Sequence, residues 1–488
     1  LSIIKKIMKN NNIDPKKFSP YAIRNKISFI KNELLSDAEL DKFFNTEFDK
    51  MVKDIYYKYQ SILAESNVVD FDDLLAKPVI LFRDHKEVLD HYQDIFKYIL
   101  VDEYQDTNPV QYKLTKLLSS KYKNIFVVGD MNQSIYGFRQ ADYKNIINFE
   151  KDYKDCLVIK LEENYRSTNN ILNAANSVIA NNKERKDLRL WSEHGDGVKV
   201  KYIRSYDERH EVTIVINEIK KLLEEGYKKK DIAVLYRTNA QSRVVEEGFL
   251  TSNIPYRVVG AYYFYNRKEI KDLIAYLRLI YNIHDEISLR RIINVPKRGI
   301  GEAAIKTLEQ TAILNGTSMF ESLSTKKELE FKELIETLIK DSNSMSLTEL
   351  IDSILEKTGL KNELEIDKSL DSELRLDNLM EFKSITASFE EKEGCVNLGD
   401  FLNEISLIAD MSEHKESDDE VTLMTIHSAK GLEFTVVFLI GMEEGIFPHA
   451  NSLLEDNGLE EERRLCYVGI TRAKEILYLT NSKRRMLY

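Results

Sequence analysis

The stretch Tyr98-Ile99-Leu100-Val101-Asp102-Glu103-Tyr104-Gln105-Asp106-Thr107 decides how the chain is read. Four apolar residues running straight into an acidic pair predict a buried parallel strand with carboxylates at its carboxyl end. In open α/β sheets that edge is where ligands bind. Adjacent carboxylates suit phosphoryl transfer, one holding Mg²⁺ and the other polarising a water aimed at the terminal phosphate. A solvated acidic turn is the ordinary alternative, and a lone Asp-Glu pair would not displace it.

Two further apolar runs, Ile125–Val128 and Leu157–Leu161, read as strands of the same block. Each also ends in polar residues, Gly129–Ser134 and Glu162–Thr168. Three strands ending this way point to one active edge. Gln133 has an amide able to reach a γ-phosphate or the attacking water. Just beyond it, Tyr136, Phe138 and Arg139 join two aromatic faces to a cation, a combination that stacks on bases and contacts phosphate. For any single aromatic, core packing is the competing account. Arg166, within Asn164–Thr168, and Arg472, within Arg463–Ala473, could stabilise charge developing in a transition state. Alone, either could equally be a surface ion pair. Thr425–Phe434 offers small and polar residues after a strand, suited to backbone approach to phosphates. His427 within it reads equally well as structural. Gly299-Ile300-Gly301 precedes a predicted helix, where backbone N–H groups could meet a phosphate; a plain helix-start turn explains it as well.

At 488 residues the chain is too long for one core, and about three domains is the expectation. Hydrophobic content of 43% and charged content of 31% fit an ordinary globular protein. No apolar run approaches the roughly 20 residues of a membrane span, and no signal-peptide pattern opens the chain. Cys156, Cys395 and Cys466 make neither a metal signature nor a disulfide framework, which predicts a reduced, cytoplasmic protein. The net charge of −11 argues against a nonspecific nucleic-acid coat but leaves room for a local basic groove.

Residues 1–69 read as a helical, charged subdomain, with Ile3, Ile4, Ile7 and Met8, then Phe43, Phe44, Phe48, Met51 and Val52, at helical spacing. Residues 70–166 carry the strands described above. A second α/β block, 167–265, holds strand candidates Val198–Ile203, Ile232–Tyr236 and Tyr256–Val259. Residues 266–415 lose the strand pattern and read as a helical insertion. The α/β pattern resumes over 416–488, with Val421–Ile426, Val436–Ile440 and Ile476–Thr480.

VDEYQDTN, GDMNQSIYGFR, NYRST, TIHSAKGLEF, GMEEGIFPH and EERRLCYVGITRA together resemble the ordered motif set of superfamily 1 DNA helicases of the PcrA/UvrD group. YRTNAQSR, NRKEIKDLIAYLRLI and INVPKRGIG extend the resemblance over essentially the whole chain. It implies an α/β fold of two RecA-like parallel-sheet motor domains with helical insertions, using ATP and Mg²⁺. Asp102 would bind Mg²⁺ and Glu103 activate water. Gln133 would sense the γ-phosphate, with Arg166 and Arg472 as arginine fingers. Tyr165 would stack on adenine and Glu433 contact the ribose. Tyr136, Phe138, Arg139 and His427 would face single-stranded DNA, and the loop with Gly299 and Gly301 would touch duplex. Expected partners are single-stranded DNA, single-strand/duplex junctions, and repair, replication or transcription proteins, with no membrane. ATP binding would close the cleft between the motors and drive 3′-to-5′ translocation.

Three departures stand out. Phe138 replaces the group's usual Trp, and Gln140 its usual Gly. No G-x-x-x-x-G-K-[ST] occurs in the 488 residues, so no phosphate-cradling loop is encoded. The chain also begins at Leu1 without a methionine. It is therefore expected to be a helicase fragment, its first motor domain incomplete. A catalytically silent DNA- or protein-binding module is the alternative, and a helicase–nuclease subunit ranks below both.

Overall fold

The computed structural model describes the chain except residues 16, 37–38, 41, 43–44, 138–139, 185, 187, 261–262, 368, 394–396, 412–418, 455–456 and 486–488. Two compact units emerge. One comprises Leu1–Val200, Lys430–Glu433 and Phe447–Ile476; the other comprises Lys201–Ala429, Phe434–Ile446 and Leu477–Tyr488. Among the described residues, no helix is long and apolar enough to cross a membrane.

The first unit opens with helices Ser2–Asn10, Pro20–Glu33 and Glu47–Glu65, whose apolar faces meet at Ile4, Ile7, Ile23, Ile27, Val52 and Ile55. The expected period thus delivers one helical core, as amphipathic stripes should. Phe43 and Phe44 lie outside the described residues. A polar joint fastens these helices to the α/β segment of the same unit. Lys31, only 2% exposed, bonds Asp70 at 2.6 Å and Asp73 at 2.9 Å. Asn32 donates to Asp72 and accepts from Asn108, the cap of helix Pro109–Ser119.

Strands β1 (Ile99–Val101) and β2 (Ile125–Val127) pair in parallel, with helix Pro109–Ser119 as the crossover. The third expected strand, Leu157–Leu161, is a correction: it pairs with no described strand. Leu157 is 85% exposed, and the first bridge after it among the described residues is Glu163–Trp191. A β-rich apolar run specifies extended backbone, but a strand exists only where a neighbour accepts its hydrogen bonds.

The second unit is built on a six-stranded sheet of order β3-β8-β7-β4-β6-β5. Its strands are β3 (Lys201–Ser205), β4 (Ile232–Tyr236), β5 (Tyr256–Val259), β6 (Val421–Thr425), β7 (Phe434–Leu439) and β8 (Ala473–Ser482). The β3–β8, β7–β4, β4–β6 and β6–β5 pairs are all parallel. All five residues of β4 are buried, as a parallel strand covered on both faces requires. The predicted strands of this block are all present, shifted by at most a few residues.

After β5 the chain leaves the sheet for helices from Lys268–Tyr281 to Leu398–Met411, which share one core including Leu273, Leu277, Phe331, Ile335, Ile351, Phe382 and Phe401. It then returns as β6, the neighbour of β5. A buried ionic joint holds the helices at their point of departure. Arg267 donates to Asn239 O, Asn378 and Ser242, while Arg243 bonds Glu381 at 2.7 Å and Glu247 at 3.0 Å. Glu246 accepts from Ser242 and from the Phe264 N–H.

Burial pushes the Glu246 carboxyl up to about 7, although Arg267 pulls against it. The folded chain therefore keeps a proton that the unfolded chain releases near 4.5, the ordinary value. Stability attached to that proton is fully present below about pH 4.5 and declines as pH rises to about 7. Urea unfolding at a series of pH values should show Glu246→Gln losing less stability per pH unit across this window than the parent, by up to about 1.4 kcal/mol per unit. Parallel slopes would place the titration elsewhere.

Candidate active site

Parallel strands β1 and β2 end side by side, so the loops after Val101 and Val127 meet. Gln105 knits them together. Its Oε1 accepts the Asp130 N–H at 2.9 Å, and its backbone carbonyl accepts from Ser134. A Cβ at Gly129 would lie 2.7 Å from that same Oε1, so the approach requires glycine.

Asp102 is exposed, with one carboxylate oxygen accepting the Glu103 N–H at 2.8 Å. Glu103 has φ +50°, a left-handed conformation costing a residue with a side chain on the order of 1 kcal/mol. Its carboxylate accepts from the Gln105 amide and lies 3.8 Å from Lys430 Nζ. Asp106 turns one oxygen to Lys430 and leaves the other buried without a hydrogen-bond partner. The exposed Asp102 carboxylate is a hard oxygen donor of the kind that suits Mg²⁺. Gln133, by contrast, has its amide nitrogen on Asp130 at 2.9 Å.

Lys430 was not singled out in the sequence, yet it is central here. Its side chain is 8% exposed, bonds Asp106 and the Gln133 carbonyl, and lies 5.0 Å from the centroid of the Tyr136 ring. Its position inside TIHSAKGLEF was visible, but nothing in one sequence says which acid a lysine meets.

The arginines are brought together within the same unit. Arg166 bonds Glu433 at 2.7 Å and the Thr471 carbonyl at 3.2 Å. Arg472, 2% exposed, donates to the Val468 and Leu432 carbonyls and to Thr471 Oγ1. Burial lowers Arg472 to about 10, and the neighbouring Arg166 charge adds to the effect. Two guanidinium groups this close favour an anion. Hydrogen bonds from Lys474 and Arg166 bring Glu433 down to about 2, so it stays ionised. With Glu163, Asn164 and Tyr165 these side chains line an open cavity of about 390 Å³. The Tyr165 ring is largely exposed beside it, its hydroxyl bonded to Glu163.

Other expected residues fall elsewhere. Phe138 and Arg139 lie outside the described residues. His427 is half-buried in the turn after β6, in the second unit. The Gly299–Gly301 loop is only partly open, which corrects the expectation that it displays its N–H groups. Asn294 Oδ1 already accepts from the N–H groups of Arg298, Gly299 and Ile300. Only the first turn of helix Glu302–Asn315, capped by Gly301, remains for a phosphate.

Parallel sheets with helical insertions define an α/β fold of the two-domain RecA-like class. Residues 1–154 match the family description UvrD/REP helicase N-terminal domain, and residues 159–484 match UvrD-like helicase C-terminal domain. The chain belongs to this UvrD-like helicase family. It is 49% identical to the ATP-dependent DNA helicase PcrA of Staphylococcus aureus (strain NCTC 8325 / PS 47), over 100% of this chain and 69% of that protein. It is 48% identical to the protein of the same name from Staphylococcus epidermidis (strain ATCC 12228 / FDA PCI 1200), with the same coverage.

Removing one member of a buried ion pair leaves the other charged and unsolvated. Lys430→Met should therefore lower the urea stability of the first unit by on the order of 3 kcal/mol, and adding Asp106→Asn should restore much of it. Equal losses in the single and double variants would mean that the pair carries no coupling.

Proposed function

We propose that this protein is an ATP-dependent DNA helicase that translocates 3′ to 5′ on single-stranded DNA and acts at single-strand/duplex junctions in repair or replication. The observation that carries this reading is the convergence of Arg166 and Arg472 on Thr471, beside the cavity lined by Glu433 and Tyr165. Such a group of cations suits a polyphosphate, and the adjoining aromatic ring and carboxylate suit a base and a ribose. The names of the relatives agree, each being called an ATP-dependent DNA helicase.

In this reading Tyr165 stacks on adenine and Glu433 accepts from ribose hydroxyls. Asp102 would hold Mg²⁺, which when bound supplies positive charge to the phosphate oxygens. Glu103 takes a proton from the attacking water. Gln133, now on Asp130, would turn to the γ-phosphate when ATP arrives. Arg166 and Arg472 stabilise the charge that develops during transfer. Tyr136, Phe138, Arg139 and His427 would line the strand, and the first turn after Gly301 would meet duplex phosphate. Residues 70–166 would contribute to one motor, with 1–69 as its helical subdomain. Residues 167–265 and 416–488 would form the other motor, with 266–415 as its insertion.

The phosphate-cradling loop that such chemistry needs is not among these 488 residues. DNA-stimulated phosphate release should accordingly be negligible for this chain and present when a relative's amino-terminal segment precedes it. In that extended protein, Arg166→Ala or Arg472→Ala should lower kcat by roughly 10³-fold with little change in nucleotide affinity. Near-normal kcat in either variant would overturn its assignment. Comparable turnover by the short and extended chains would put the phosphate site elsewhere.

A further inference from the structure

Strand β3 is the edge of the second unit's sheet, with β8 its neighbour. Its alternation divides two roles. Ile203 and Ser205 turn toward the covered side, half-buried and buried, while Lys201 on that same side is exposed and bonds the Tyr478 hydroxyl. Tyr202, Arg204 and Tyr206 lie on the opposite face and are all exposed, the tyrosines at 62% and 55%. Beyond β8 the chain continues alongside this edge, the N–H groups of Lys483 and Arg484 donating to the carbonyls of Ser205 and Tyr206 at 3.1 Å each. Two more exposed cations thus sit beside Tyr206.

Both tyrosines are held by their tips. Tyr202 donates its hydroxyl to Asn481 at 3.2 Å, while Tyr206 Oη accepts from Arg484 at 3.2 Å. The Arg484 guanidinium also lies 5.6 Å from the Tyr206 centroid. Rings tethered at the hydroxyl and open to water add little to the core, yet they are pre-oriented. Two of the flanking acids are engaged elsewhere. Asp207 caps the following helix through the His210 N–H, and Glu443 takes Ser482 and Arg485.

We propose that this edge is a binding surface for single-stranded nucleic acid, separate from Tyr136 and from the nucleotide cavity. Tyr202 and Arg204, two apart on β3, are about 6.7 Å apart, and Tyr206 follows just past the strand's end, so ring, guanidinium and ring come in order along the chain. That order offers a base a stacking face and a phosphate a cation, without demanding sequence. Its charge is opposite to that of the whole chain, which carries −11. An acidic protein segment would share the charge preference but has no use for two upright rings.

The 488-residue chain can be photocrosslinked to a ten-nucleotide oligothymidylate carrying 5-iododeoxyuridine, and the crosslinked peptides mapped. Crosslinks at Tyr202 or Tyr206 are expected. In low-salt titrations the chain should bind a second oligonucleotide that Tyr202→Ala/Tyr206→Ala weakens roughly tenfold or more. Tyr202→Phe/Tyr206→Phe should retain that binding, and Arg204→Gln should reduce its salt slope by about one. Matching thermal transitions would establish that the variants fold, as expected for exposed positions. The proposal is overturned if no crosslink maps to β3 while others form. It is equally overturned if the Ala variant binds both oligonucleotides normally, or if a polyglutamate decapeptide binds as tightly through the same residues.

Discussion

Lys430 is a single buried ammonium on which the geometry of the strand-end site depends. It reaches Asp106 and the Gln133 carbonyl, and it lies within 4 Å of Glu103. A cation so little exposed must be paired where it sits, and its partners come from the loops after β1 and β2. Those loops are therefore held in one arrangement. Glu103 adopts its left-handed backbone within it, and Gln105 stitches the Asp130 loop to the same frame.

The paired arginines obey a related logic. Arg472 spends its guanidinium on the Val468 and Leu432 carbonyls and on Thr471 Oγ1, so it is rigid before any ligand arrives. Arg166 is fixed by Glu433 and the Thr471 carbonyl. Burial of the guanidinium, with the like charge of Arg166 beside it, disfavours the charged form and lowers the Arg472 pKa. An anion beside the pair would relieve that cost.

The helical insertion shows how an interruption is absorbed. β5 and β6 lie side by side although more than a hundred and sixty residues separate them. The sheet is completed across that gap because β6 belongs between β4 and β5. The departing chain is pinned by Arg243, paired with Glu381 and Glu247, by Arg267, held by Asn378, Ser242 and the Asn239 carbonyl, and by Glu246, which accepts from Ser242. Buried ionic joints of this sort tend to define a single orientation rather than to add much stability.

Much of this was legible in the residues themselves. The apolar run at Ile232–Tyr236 is fully buried as β4, and Val421–Ile426 and Val436–Ile440 fall on β6 and β7, because near-continuous hydrophobic runs fit only parallel strands covered on both faces. The absence of strand pattern after residue 266 was answered by helices. Motif position singles out Asp102, Glu103, Gln133, Arg166 and Arg472 as candidates, and of these folding brings Arg166 and Arg472 together on Thr471. What the sequence could not decide depends on partners distant in the chain. Leu157–Leu161 had the composition of a strand but found no ladder, since a strand's hydrogen bonds belong to its neighbour. The N–H groups of Gly299 and Ile300 were free on paper and are taken by Asn294. Lys430 was one lysine among many until folding put Asp106 against it. Local pattern determined which backbone each segment prefers and which chemistry its residues can perform; only the tertiary structure decided which charges and hydrogen-bond donors meet, because those pairings join residues up to several hundred positions apart.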